Sequence, residues 1–121
     1  MDRWQALYSF WASFGVPAYE ENSVPDLKDL TFPYITYQAR ASAFDYNASG
    51  NASVWSRDTS WTEADGLSDM IMTRLQDGGE NVPYTGGVIW ITAGAPFSQS
   101  MSDPSDALVK RKLLTVTYNF L

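Results

Sequence analysis

The chain has 121 residues, 45% of them hydrophobic and 15% aromatic, and carries a formal net charge of −6 from 8 basic and 14 acidic side chains. That length suits one domain spanning 1–121 with a core of its own, and the charge opposes binding to nucleic acid phosphates. Histidine and cysteine are absent, which removes imidazole acid–base chemistry, thiolate nucleophiles, disulfides and the usual zinc ligand sets, so a structural protein is expected and not an enzyme.

No basic segment followed by a long apolar run opens the chain, and no apolar run approaches a membrane span, so neither a signal peptide nor a membrane partner is expected. Residues 3 to 14 predict an amphipathic helix. Trp4, Leu7, Tyr8, Trp11 and Phe14 share a stripe at spacings of three and four, with Phe10 off its centre. Asp2 is placed to cap it, and Gly15 followed by Pro17 ends it. A helix this aromatic is costly to leave in water, so it is expected against a sheet or a neighbouring subunit.

Residues 16 to 31 read as a connector holding Pro17, Pro25 and several acids. The alternation from Tyr34 to Ala41 predicts a strand. Residues 45 to 51 are turn-forming, and 52 to 59 predict a second strand, the two forming a hairpin with a protruding tip. Asn47-Ala-Ser49 and Asn51-Ala-Ser53 fit the glycosylation acceptor pattern and read as a polar loop. Ser60-Trp-Thr-Glu63 is a capping-box pattern before a helix over 61–76, with Leu67, Met70, Ile71 and Leu75 on one face. Val88 to Ala93 predicts a short buried strand, 94 to 106 a long loop, and the alternation of Leu114, Val116, Tyr118 and Phe120 a last strand. Lys110, Arg111 and Lys112 read as its solvated start. The fold class expected is α+β: a single domain in the order α-β-β-α-β-β, with an antiparallel or mixed sheet packed by two helices.

Constellations that carry chemistry are missing. Glu20 and Glu21 sit in the Pro-containing connector. Asp103 and Asp106 have oxygen ligands to offer a cation, but Asp103-Pro-Ser-Asp106 is an ordinary turn or cap sequence. There is no Gly-x-Ser-x-Gly elbow, and the glycine pairs 78–79 and 86–87 are not followed by Gly-Lys-Ser/Thr. No cofactor and no metal are expected. Apolar residues inside polar excursions instead suggest subunit contacts: Phe44, Tyr46 and Asn47 at the hairpin tip, Phe97, Gln99, Met101 and Asp103 in the long loop, and Arg111 at the start of the last strand, with Asp103 or Asp106 of a neighbouring subunit as partner for Arg111. A small sugar- or peptide-binding module is the competing reading. It requires exposed aromatics converging on one concave face, and it falls if Trp55, Trp61 and Trp90 are buried.

Several segments together resemble a known family. Phe14-Gly-Val-Pro-Ala-Tyr-Glu-Glu-Asn-Ser-Val-Pro25 follows the aromatic helix, Phe32-Pro-Tyr-Ile-Thr-Tyr37 begins the first strand, and Ser56-Arg-Asp-Thr-Ser-Trp61 leads into the second helix. Gly86-Gly-Val-Ile-Trp-Ile91 and Ala95-Pro-Phe-Ser-Gln99 precede Asp103-Pro-Ser-Asp106 and an Arg111-centred final strand. This pattern is similar to the tail terminator or tail-completion proteins of the head–tail neck of long-tailed bacteriophages. The resemblance implies a virion protein assembled in the host cytoplasm as a homo-oligomeric ring, usually a hexamer. The ring would cap the tail tube, contact the tube protein and the head-completion or connector protein, and let DNA pass through its lumen without specific binding. Head-closure and tail-tube subunits of the same virion are the neighbouring alternatives.

Overall fold

A computed structural model describes residues 1–38 and 47–121. Two helices and six strands follow in the order α1 (Arg3–Ala12), β1 (Ala18–Glu20), β2 (Tyr34–Tyr37), β3 (Asn47–Arg57), α2 (Thr62–Leu75), β4 (Glu80–Tyr84), β5 (Gly87–Ser102) and β6 (Val109–Phe120), with short 3-10 turns at Glu21–Ser23 and Leu27–Asp29. The strands form one sheet ordered β1-β2-β3-β6-β5-β4. β1 runs parallel to β2, and the other neighbours pair antiparallel. The α+β class and the expected antiparallel pairing of β2 with β3 are present, and β5 pairs antiparallel with β6.

Helix α1 starts on a reciprocal cap. Asp2 accepts from the Gln5 backbone N–H at 2.8 Å, and the Gln5 side chain accepts from the Asp2 N–H at 2.9 Å. Its buried stripe is Ala6, Leu7, Phe10 and Trp11, continued by Phe14 beyond its end. The expected stripe is therefore rotated: Phe10 lies in the core, while Trp4 and Tyr8 are 41% and 51% exposed. With five aromatics in twelve residues the spacing admits two overlapping stripes, and Ala6 lets the helix sit close to the sheet on one of them.

Helix α2 buries Ala64, Leu67, Ser68, Ile71 and Leu75. Met70, expected on that face, is exposed. The expected capping box does not form. Trp61 occupies the cap position without a side-chain bond, and Ser60 Oγ meets the Thr62 hydroxyl. The helix ends at a run of left-handed residues, Asp77, Gly78 and Gly79, which glycine adopts at little cost.

Four segments differ from expectation, the first being β4, an unexpected strand between α2 and Val88. The connector contains the short parallel strand β1. Residues 47–51, expected as a turn, are strand: Asn47 to Asn51 pair with Asn119 to Thr115 of β6. Most of the expected loop at 94–106 is also strand, because β5 resumes pairing with β6 after an irregularity between Ala93 and Ser98. Extended pairing to a long, well-patterned β6 outweighs the turn preference of Gly, Ser and Asn in both cases.

Alternation along the strands sends Ile35, Tyr37, Ala52, Val54, Ile89, Ile91, Leu114, Val116, Tyr118 and Phe120 into one core with the helices. Trp11 stacks on Tyr37 with ring centroids 6.1 Å apart. Both helices thus cover the same face.

Candidate functional site

The helix-free face carries a row of side chains set by strand register. Tyr34 of β2 pairs with Trp55 of β3, Trp55 with Arg111 of β6, and Arg111 with Met101 of β5. Tyr34 stacks on Trp55 at 6.0 Å and 13° between planes. On the other side of the indole the Arg111 guanidinium lies 4.8 Å from the ring centroid, a cation–π contact. Arg111 Nε donates to Ser53 Oγ at 3.0 Å, and Trp55 Nε1 donates to Thr36 Oγ1 at 2.9 Å. Tyr19 and Phe32 pack on Tyr34 at 6.1 and 5.2 Å. Tyr34, Trp55 and Arg111 are each held by two or more neighbours, which fixes their rotamers, while Met101 is 39% exposed at the end of the row.

At the Met101 end of the row lies a cleft of about 240 Å³ lined by Trp55, Met101, Ser102, Asp103, Pro104 and Arg111. Asp103 accepts from both the Ser105 hydroxyl (2.7 Å) and the Ser105 backbone N–H (2.8 Å). These bonds, the hydroxyl's first, hold its carboxyl below the ordinary carboxylate range. Asp106 is lowered by the Leu108 backbone N–H and then by Arg57, whose Nε sits 3.1 Å away. Within the chain both aspartates are therefore engaged elsewhere, and Arg111 keeps its terminal nitrogens without a hydrogen-bond partner among the described residues.

Of the residues singled out from the sequence, Met101, Asp103 and Arg111 meet at this cleft. Gln99 is exposed on β5 next to it, on a strand and not in a loop. Phe97 is half-buried against the core, so it is a packing residue as well as a candidate contact. Asn47 opens β3 opposite Asn119. Eight residues of extended chain separate it from Trp55, about 26 Å, so it does not belong to the cluster. Phe44 and Tyr46 lie outside the described residues. Sequence reasoning missed Tyr34 and Trp55, whose role depends on the register that aligns four strands.

The other two tryptophans singled out do not join this face. Trp61 packs partly against the core with Lys110 and Lys112 over its ring. Trp90, 38% exposed, donates to the Gly78 carbonyl at the end of α2. Lys112 Nζ also lies 2.8 Å from Asp65 Oδ1, a charge contact lacking the alignment of a hydrogen bond. Among the described residues no group of three or more acidic side chains is placed to hold a metal ion, and no helix is long and apolar enough to cross a membrane. Compared with known proteins, the chain matches no family model and no curated sequence.

Proposed function

We propose that this protein is a structural subunit of a phage neck. It forms a ring on the head-proximal end of the tail tube, ends tube growth and joins the tail to the head connector. The observation that carries the reading is the helix-free sheet face and its fixed row Tyr34–Trp55–Arg111–Met101. Tyr34 and Arg111 already flank the Trp55 ring, which disfavours stacking on a sugar there, whereas an array of aromatic, arginine and methionine side chains is the usual chemistry of protein interfaces. The sequence segments quoted above supply the kind of assembly. The net charge of −6 suits a conduit through which DNA passes without adhering.

Electron microscopy of tail tubes mixed with the purified protein tests this reading. Density capping one end of each tube, together with a ring-sized species in light scattering, is the expected result. Long tubes grown from the protein alone would make it the tube subunit. Binding to connectors but not to tubes would make it a head-closure protein.

A further inference from the structure

Among the described residues, the sheet edges at β4, at β1 and at residues 98–102 of β5 are not equivalent. β4 is blunted. Its hydrogen-bonding phase follows from the reciprocal bonds between Val88 and Leu121, which turn Ile89 and Ile91 towards β4 and leave Asn81 and Pro83 facing outward. Proline offers no N–H, a common protection of edge strands. β1 is only three residues long, with Ala18 buried and Tyr19 and Glu20 half-buried. The third stretch, residues 98–102 of β5, lies beyond the reach of β4. All five residues are exposed, and none is charged or proline.

The phase of this stretch can be derived. The Asp58 N–H donates to the Leu108 carbonyl, so Lys110, Lys112 and Leu114 turn their backbone groups to β3, while Arg111 and Leu113 turn theirs to β5. Their partners Met101 and Gln99 are then bonded inward, and Ser98, Ser100 and Ser102 point their N–H and C=O groups outward. A strand added here would place the residue opposite Met101 with its side chain on the helix-free face, next to the cleft. That cleft has apolar walls in Trp55, Met101 and Pro104, a cation in Arg111, and on its rim the Asp103 carboxylate, whose charge is partly offset by the two hydrogen bonds it accepts from Ser105. The guanidinium is anchored through Nε to Ser53 and lies 4.8 Å from the Trp55 ring centroid, which leaves its terminal nitrogens able to take a carboxylate. An apolar stem with a carboxylate head is the side chain of glutamate.

We propose that the edge at residues 98–102 takes up an extended segment of a partner protein by strand addition, with a glutamate of that segment seated in the Trp55–Arg111 cleft. This follows the known pattern in which main-chain bonds give affinity and a pocket for an alternate side chain gives specificity. It rests on the reading that the chain acts through protein interfaces and adds which edge, and which chemistry, the partner presents.

A capped synthetic peptide, Thr-Val-Glu-Val-Thr, is the probe, followed by backbone amide NMR. Expected are saturable shifts at residues 98–102 and at the Trp55 indole, with slowed amide exchange at Ser100 and Ser102. The peptide with glutamine in place of glutamate should bind about tenfold more weakly, the loss of one charged hydrogen bond. Ser100→Pro removes an outward N–H and should abolish binding while the β5–β6 ladder persists, whereas Ser100→Ala should bind as the parent does. Three outcomes overturn the proposal: no saturable shift at millimolar peptide, equal affinity for the glutamine peptide, or binding unchanged in Ser100→Pro. A dimer of the protein that Ser100→Pro dissolves would assign the edge to a second copy and overturn it too. Each of these results leaves the neck reading standing, since that depends on tube capping.

Discussion

In the middle of the core the Trp11 indole N–H donates a 3.1 Å hydrogen bond to the Tyr118 hydroxyl, and both side chains are fully buried. The bond ties α1 to the central strand β6. Tyr118→Phe keeps the ring packing and strands the indole N–H, so it should cost about 1–3 kcal/mol. Denaturant titration of Tyr118→Phe, Trp11→Phe and the double variant measures the coupling. Additive losses would show that the pair contributes packing alone.

Buried tyrosines also set an alkaline limit. Burial, with a smaller contribution from the Glu20 charge, pushes the Tyr37 hydroxyl up to about 12. Burial raises Tyr34 and Tyr118 as well. In the unfolded chain these groups titrate near 10, so the folded state favours their neutral form. Their contribution is whole below about pH 10 and is lost as the pH climbs through the folded values. Thermal midpoints should therefore fall steeply above about pH 10, and Tyr37→Phe should make that fall shallower. An unchanged slope in the variant would remove Tyr37 as a contributor.

Arg74 of α2 joins three elements. Its Nη2 lies 2.6 and 2.7 Å from the two Glu80 oxygens on β4, Nη1 donates to Ser13 Oγ, and the guanidinium sits 4.6 and 5.2 Å from the Phe14 and Phe10 rings. About a third of each ion-pair side chain is exposed, so solvent weakens the pair. Arg74→Met should cost about 1–2 kcal/mol from the combined contacts. Glu80→Gln should cost less and should lose its effect in high salt.

Gly50 is a packing requirement. It is buried opposite Val116, and a Cβ built there would come within 2.7 Å of the Tyr118 ring. Gly50→Ala must displace that ring and strain the Trp11 bond, at a cost of about 1–3 kcal/mol. Crystallography or NMR of the variant should show Tyr118 moved. An unmoved ring with full stability would contradict the account.

What the sequence revealed and what it hid have physical causes. The alternation of Leu114, Val116, Tyr118 and Phe120 announces β6 because one face of it is fully buried. β1 is three residues long and has no alternation to read. β4 contains Pro83, which demotes a strand reading even though an edge tolerates it. Residues 98–102 are mostly serine and look like loop, since their strand state comes from pairing with β6 and not from their own propensity. The site was half legible for the same reason. Arg111, Met101 and Asp103 stood out as polar or apolar residues in unusual settings, but Trp55 and Tyr34 became part of the site only when β6 was found between β3 and β5.

Arg111 separates folding from assembly. Its monomer contacts are the Trp55 ring and Ser53 Oγ, on a half-exposed face, so Arg111→Glu should lower stability by only about 1 kcal/mol. For a chain of this size that shifts the thermal midpoint by roughly 3–6 °C, and the circular dichroism spectrum should be retained. Glutamate at this position places a second negative charge beside Asp103 in the same cleft and removes the cation offered to a partner. Tube capping or ring formation should then fail in a protein that is still folded. Arg111→Lys keeps the charge but loses the guanidinium contact with the Trp55 ring and the forked donor geometry, so it should rescue assembly only in part. Normal assembly by Arg111→Glu would exclude this residue from the contact surface, and loss of the folded spectrum would show that its role is to hold Trp55 in place.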